Sequence, residues 1–328
     1  MTKINLITGA NGHLGNNLVR ALLARGETVR ASVRNPNNRE PFAGLDCEIV
    51  QADLMDKPSL LKAMEGVDTL YQVAAVFRHW ARDPQKEIIE PNLQGTRNVL
   101  EAAAEKGVRR VVYVSSEVTL DNGRSPVDES TWKTDFHGNP YVQSKTESEQ
   151  LAWRLADELG LDMVSVLPGA IIGPHCYRLT PTMSYLQRAL QGEIFVDVNF
   201  YFNMVDARDV AAGMIVAAEN GRSGERYLMN TKDPLGTRRL IEIAREFNPN
   251  LRMPPRMPKF LLQIMSSAME LGGKITGSEP MLLRSQVDMY YGEALQMNIN
   301  KARTELGYAP RDGETAVREA LAYLTESH

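Results

Sequence analysis

Three side chains in this sequence could together move a proton to or from an oxygen of a bound molecule. "YVQSK" places Tyr141 and Lys145 four residues apart, and "VSSEVT" places Ser116 25 positions before the tyrosine. On a helix, residues i and i+4 share a face, so the tyrosine and the lysine can address one ligand. A phenol has an ordinary pKa of about 10. A neighbouring ammonium favours its ionised form, which would bring Tyr141 toward working pH as a general acid or base. A serine hydroxyl can hydrogen-bond the substrate oxygen as charge develops on it. Ser115 is the neighbouring candidate for that role. Tyrosine and lysine are common helix residues, so this spacing gains meaning only from what else the chain binds.

"LITGANGHLGNNLV", residues 6 to 19, supplies that context. Gly9, Gly12 and Gly15 follow an apolar run and open a helical pattern. The bare N–H groups and dipole of a helix N-terminus favour an anion. Glycines there allow a tight turn and a close backbone approach, so the loop Gly9, Asn11, Gly12, His13, Leu14 and Gly15 reads as a cradle for a nucleotide pyrophosphate. A merely tight strand-to-helix turn is the other reading. Glycine loop, serine and YxxxK in this order carry far more information than any one of them.

The elements that must position these groups alternate. "INLIT", "TVRASV", "CEIVQADL", "TLYQVAAV", "RVVYVSS" and "DMVSVLPGAI" read as strands. "LGNNLVRALLARG", "SLLKAMEGV", "NLQGTRNVLEAAAEKG" and "YVQSKTESEQLAWRLADELG" read as the helices between them. Apolar strands alternating with helices predict a parallel sheet buried on both faces, and right-handed crossovers make it a doubly wound α/β fold of the Rossmann type. After Pro174 the regularity weakens. "DARDVAAGMIVAAENG" reads as a further sheet-covering helix and "ERYLMN" as a strand, followed by a Pro- and Met-rich tract. The expected division is a dinucleotide-binding domain over 1–174 plus about 204–230. A smaller, mostly helical substrate lobe takes 175–203 plus 231–328.

The chain has 328 residues, is 43% hydrophobic and carries a net charge of −4. That is ordinary globular composition, and it gives no overall field for nucleic acid or an anionic membrane. Apolar runs fall far short of the ~20 residues of a membrane span. Met1 leads almost directly into a strand, which leaves no room for a signal peptide, and a cytoplasmic location is expected. Cys47 and Cys176 cannot form a disulfide framework, and five histidines without metal-ligand spacing predict no metal.

With these motifs on the page, the sequence is identified as resembling the extended short-chain dehydrogenase/reductases, within the NAD-dependent epimerase/dehydratase superfamily. The resemblance rests on "TGANGHLG", "ADL" at 52–54, "VAA" at 73–75, "NLQGT" at 92–96, "VSS", "YVQSK" and "PGAIIGP" at 168–174. "NKARTELGYAPR" resembles the family's closing helix, so essentially the whole chain is covered. "GETVRASVRNP" is similar to the dihydroflavonol-reductase-like branch, while "VFRHWARDP" resembles a bacterial branch of hopanoid-associated sugar epimerases. The resemblance implies an oxidoreductase acting on CH–OH or C=O groups, with Ser116, Tyr141 and Lys145 as its catalytic residues. It favours Ser116 over Ser115 for catalysis and leaves Ser115 beside the cofactor. It implies that Asp53 and Leu54 hold the adenine. Ala74, Ala75 and the stretch Pro168, Gly169 and Ile171 would lie against the riboses and nicotinamide, and Lys145 would bind the nicotinamide ribose. Asp53 could instead cap the helix that follows, in competition with Asp56. Asn92 reads as a backbone bridge, a water holder in a proton relay, or a helix cap. The resemblance also implies a homodimer through helices at 91–106 and 141–159, although their patterning fits one buried and one solvated face equally well.

An acid closing the second strand would bind the ribose 2′-hydroxyl of NAD. This chain has Val33, Arg34 and Asn35 there, with Arg30 earlier on the strand. The arginine fork suits a phosphate, so NADP(H) is the expected cofactor, with Arg34 against the 2′-phosphate; a solvated loop residue is the alternative. The expected substrate pocket is aromatic, with Phe77, His79, Tyr177 and Phe202 facing the substrate beside Ser116 and Tyr141. Trp80, Phe200 and Tyr201 add to its aromatic character. Met253, Met257, Met265 and Met269 form either an adaptable wall or plain core. His79 has both a structural reading and one as a hydrogen-bond partner. Residues 192–203 hold no Arg or Lys for a diphosphate, and Glu117 after Ser116 is not part of the acid pair usual in dehydratases. An NADPH-dependent reductase of an apolar or aromatic ketone or aldehyde is therefore expected. A sugar or nucleotide-sugar epimerase/dehydratase, a 3-beta-hydroxysteroid-type dehydrogenase and a non-catalytic NADP-sensing protein remain as alternatives.

Overall fold

The computed structural model describes residues 3–326. In chain order it runs β1 Ile4–Thr8, α1 His13–Ala24, β2 Thr28–Val33, β3 Glu48–Gln51, α2 Lys57–Ala63, β4 Val67–Gln72, α3 Glu90–Glu105 and β5 Arg110–Val114. Then come α4 Pro140–Leu159, β6 Met163–Pro168, β7 Ala170–Ile172, α5 Pro181–Gln191, β8 Tyr201–Phe202, β9 Met204–Asp206, α6 Ala207–Asn220 and β10 Arg226–Met229. The chain closes with β11 Leu235–Gly236, α7 Thr237–Ala244, α8 Lys259–Thr276, α9 Arg284–Tyr290, α10 Asn300–Leu306 and α11 Gly313–Glu326.

Seven strands form one parallel sheet in the order β10-β6-β5-β4-β1-β2-β3. Helices α1 and α6 pack together on one face, where Leu18, Leu22, Val210 and Met214 are buried. Helices α2, α3 and α4 cover the other, over Leu70, Val111, Leu100 and Leu151. This is the doubly wound Rossmann-type fold that the strand–helix alternation predicts. The order reverses between β1 and β4, and the crevice beyond the carboxyl ends of strands at such a switch point is where ligands bind.

The reading "DMVSVLPGAI" as one strand needs a correction. It divides at Gly169 into β6, which stays in the sheet, and β7, which pairs with β9. A side chain at Gly169 would meet the Asn203 carbonyl oxygen and the Asn230 amide, and these two groups crowd the bend. Beyond the sheet, α5, α7 and α11 enclose a core of their own around Met183, Leu240 and Val317. Helices α8 and α9 pack on each other over Leu262 and Val287, and α10 lies against α6 and β10.

Candidate active site

Beyond the carboxyl ends of β1, β4 and β5 lies a cleft of about 1470 Å³. That exceeds the roughly 300–1,000 Å³ of a typical small-ligand pocket, so there is room for a dinucleotide and a second molecule.

The glycine loop forms its floor. Gly9 has φ +63, in the left-handed region, and a Cβ on it would stand 3.1 Å from the Ala74 Cα. Glycine therefore lets the loop after β1 meet the loop after β4. At Gly15 a Cβ would drive into the Gly9 carbonyl oxygen and stand 2.9 Å from the Ala10 Cα. Gly12 is the N-cap of α1, with no side-chain cap bond and no acid in the first turn, so this helix end is open to an anion. Thr8 ties the two loops by accepting from the backbone N–H of Val73 and of Ala74, each at 3.0 Å. His13 bonds the carbonyls of Gly173 and Pro174 at 3.1 Å and so anchors α1 to the far wall; burial lowers its pKa.

Arg34 and Asn35 line the cleft at the end of β2. Among the described residues Arg34 has no hydrogen-bond or ion-pair partner. Arg30 is committed elsewhere: it holds Glu48 at 2.7 Å and the carbonyls of Ala63 and Glu65 at 2.8 Å. Asp53 turns one carboxylate oxygen to the Met55 N–H at 2.9 Å, while Asp56 is the N-cap of α2. The Leu54 carbonyl is held by Asn98 at 2.7 Å. Ala74, Ala75, Pro168, Gly169 and Ile171 all line the cleft with them.

Ser116, Tyr141 and Lys145 meet at its centre. The Ser116 side chain favours ionisation of the Tyr141 phenol. Ser115, one residue earlier, bonds Glu149 at 2.6 Å and belongs to the layer beneath. Asn139 starts α4 by accepting from the N–H of Tyr141 at 3.1 Å and of Val142 at 3.3 Å, which fixes the tyrosine in the first turn. Burial pushes the Tyr141 phenol up to about 12, with Glu117 adding to the rise and Ser116 opposing it. The shift is opposite to the one Lys145 alone would give. Burial brings Lys145 down to about 8, against the pull of Glu149. Lys145 donates to the Val114 carbonyl at 3.4 Å. Asn92 is the third residue of α3 and a backbone bridge: it accepts from Val76 N at 2.7 Å, returns a bond to Val76 O at 3.1 Å and donates to Ser144 at 2.6 Å.

The wall beside Tyr141 is aromatic. The Phe77 ring meets it edge-on at 5.0 Å and the His79 ring at 4.6 Å. Burial drives His79 down to about 4, so its imidazole is neutral at physiological pH. Phe200, Phe202, Met265 and Met269 line the same space. Tyr177 does not: it is exposed and lies off the cleft wall. Trp80, Tyr201, Met253 and Met257 also lie off the cleft wall. Tyr185, Tyr290, Phe195, Met281, Arg178 and Arg188 line it as well. The arginine-free reading of 192–203 holds, but Arg178 and Arg188 come from just upstream; Arg188 turns to the Glu193 carbonyl at 3.3 Å. Glu117 also faces the cleft. It accepts from the Asn230 amide, and burial lifts its carboxyl to about 7.

A sequence profile described as "NAD dependent epimerase/dehydratase family" matches residues 5–229. Sterol demethylase protein B of Methylococcus capsulatus is 33% identical over 332 residues, covering 98% of this chain and 98% of that protein. The bifunctional dihydroflavonol 4-reductase/flavanone 4-reductase of Malus domestica is 30% identical over 271 residues, covering 76% of this chain and 78% of that protein. The solved structure of gox2253 superposes with a TM-score of 0.85 at 31% identity, covering 99% of both chains.

Proposed function

The chain belongs to the NAD dependent epimerase/dehydratase family and is an oxidoreductase, and we propose that it is an NADPH-dependent carbonyl reductase of an apolar or aromatic ketone or aldehyde. The observation that carries this reading is the convergence of Ser116, Tyr141 and Lys145 in one cleft, between an open helix N-terminus and an aromatic wall.

The residues fit a dinucleotide. The cradle at Gly9 and Gly15 is one that a Cβ would fill, and the end of α1 offers unspent N–H groups. In this reading the glycine loop with Asn11, His13 and Leu14 holds the pyrophosphate. Asp53 and Leu54 take the adenine, and Ser115, Ala74, Ala75, Pro168, Gly169 and Ile171 flank the rest. Arg34, without a partner of its own, takes a 2′-phosphate, and this is what favours NADP over NAD. Bound there, NADP(H) would supply or accept the hydride.

The chain's own residues do the rest. Ser116 donates to the substrate oxygen, and Tyr141 gives it a proton on reduction or removes one in the reverse direction. A phenol at about 12 is fully protonated at neutral pH, as a donor must be. Lys145, still largely charged below pH 8, favours the phenolate that Tyr141 leaves behind. Neutral His79 and Phe77 exclude water and orient the carbonyl. Residues 1–174 with 204–230 form the dinucleotide-binding domain in this reading, and 175–203 with 231–328 form the substrate lobe. A homodimer through α3 and α4 belongs to the same reading.

One observation favours a polycyclic substrate and a 3-beta-hydroxysteroid-type dehydrogenation. The match to sterol demethylase protein B runs through the substrate lobe to 98% of the chain, whereas the plant reductase matches 76%. Incubating purified protein with NADPH and a panel of aromatic ketones, aldehydes and 3-ketosteroids, and following nicotinamide absorbance, tests both readings. Consumption of NADPH supports reduction, and the preferred panel member separates the two. Tightly retained NAD without net consumption would favour an epimerase. Cofactor binding with neither would favour a sensor.

A further inference from the structure

Helix α8 carries two apolar stripes, and only one of them is covered. Leu262, Ser266 and Gly273 face inward and are buried, while Met265 and Met269 line the cleft. On the opposite side Phe260, Ile264, Ala268, Leu271 and Ile275 recur at steps of four or three residues, with Leu261 beside them. The five large side chains of this outer stripe are between 42% and 75% exposed. A helix that is apolar all round is normally buried, and a contiguous exposed patch of this kind marks an interaction surface. Two further exposed apolar side chains, Phe195 and Met281, 75% and 69% exposed, stand on the wall of the cleft that Met265 and Met269 also line.

Its charge differs from that of the whole chain. Between Arg252 and Arg284 there are five basic residues, Arg252, Arg256, Lys259, Lys274 and Arg284, against Glu270 and Glu279. Five minus two gives +3, in a chain of net −4. Lys259 and Lys274 bracket the helix at its two ends, and neither they nor Arg252 have a carboxylate partner among the described residues. Arg256 is tied to Asp197 and Arg284 to Asp288, which leaves the segment still positive. The overall charge conceals this local excess.

We propose that the outer face of α8, with Phe195 and Met281, docks on an anionic lipid surface, so that the mouth of the cleft opens into the interfacial layer. Apolar side chains flanked by lysines whose stems reach past them to the headgroups are how helices lie in such a layer. Among the described residues no helix is long and apolar enough to cross a membrane, so the contact is peripheral. Entry of an apolar substrate directly from the lipid rests on the reductase reading; the docking itself does not.

Vesicle flotation of the full chain tests the docking. The wild type is expected to float with equimolar phosphatidylcholine and phosphatidylglycerol, to bind phosphatidylcholine alone about tenfold less, and to be released by salt. Ile264→Glu with Ile275→Glu, both outside the cleft wall, is expected to abolish flotation while NADPH consumption with a soluble aromatic aldehyde is unchanged. Lys259→Glu with Lys274→Glu should remove the preference for the anionic vesicles. A wild type that stays unbound with both vesicles, or an Ile264/Ile275 variant that floats equally, would overturn the proposal. So would a wild-type dimer that the same variant splits, since the face would then belong to a second copy. Absence of NADPH consumption in every variant would count against the reductase reading and leave the flotation result standing.

Discussion

Glu149 and Arg226 form an ion pair at 2.9 Å in the layer that holds Ser115, with the two side chains 0% and 8% exposed. Glu149 reaches Ser115 at 2.6 Å and Thr119 at 3.0 Å. Arg226 spends its remaining donors on Thr119 at 2.7 Å and on the carbonyls of Glu129 and Thr131, and stacks 3.7 Å over Trp132. The pair thus links α4, β10 and the loop that presents Ser116. Removing one member of such a pair strands the other charge in the interior, at a cost of about 3–5 kcal/mol. Arg226→Met is expected to lower unfolding free energy by that amount in a denaturant titration. Glu149→Leu with Arg226→Met should recover part of it, because no uncompensated charge remains. If the single and double variants lose equally, the pairing is not what holds the loop.

Tyr141→Phe removes the phenolic hydroxyl, the proposed proton donor, and keeps the ring against Phe77 and His79. Reduction is expected to fall by about 10²–10⁴-fold, the usual worth of positioned proton transfer, with NADPH affinity by fluorescence titration nearly unchanged. The pH profile follows from Lys145. Its folded pKa of about 8 lies below the ordinary lysine value, so its charge is present below pH 8 and lost as pH rises through it. The kcat/KM for reduction should fall along that limb, and Lys145→Arg should carry the limb to higher pH. A profile that is flat through pH 9 would remove the lysine from the mechanism.

Glu117 has the opposite sign from the usual surface carboxylate. Its folded pKa is raised to about 7 from 4.5, so the folded state binds the proton more tightly than the unfolded chain. Stability therefore declines as pH rises from 4.5 through 7. The shift corresponds to at most about 3.4 kcal/mol, an upper bound because Glu117 is only partly buried and lines the open cleft. Glu117→Gln keeps an acceptor for the Asn230 amide and carries no charge. Its thermal midpoint should match the wild type at pH 4.5 and exceed it at pH 8. Equal differences at both pH values would show that Glu117 does not ionise in this range.

Much of the site was legible because its signals are local. Gly9, Gly12 and Gly15 announce a turn that chain geometry alone demands, and Tyr141 and Lys145 share a face by helical spacing. Residues such as Tyr290, Tyr185 and Met281 were not legible, since α5, α9 and the turn before α9 reach the cleft only through tertiary packing. Tyr177 reads as pocket wall because it sits in an aromatic loop, yet the fold leaves it exposed and off the cleft. The direction of the Tyr141 shift was illegible for the same reason: a lysine one turn away is written in the sequence, but burial is not. The two stripes of α8 are both written in its spacing, and only the fold tells which is covered.

Arg34 is the residue at which the proposed preference for NADP over NAD can be tested. It stands at the end of β2, where an acid would repel a phosphate, and it has no partner among the described residues. Arg30 cannot substitute, because Glu48 and two carbonyls hold its fork. A hydrogen bond to a charged group contributes about 1.5–3 kcal/mol, which corresponds to roughly 10–100-fold in affinity. Arg34→Ala is therefore expected to raise the Michaelis constant for NADPH by that factor and to leave that for NADH nearly unchanged. Placing an acid there, as Arg34→Asp, should invert the preference, since the carboxylate repels a 2′-phosphate and accepts from a 2′-hydroxyl. Steady-state kinetics with both cofactors measures the ratio directly. A wild type that prefers NADH, or an Arg34→Ala variant that loses both cofactors equally, would place the phosphate contact elsewhere.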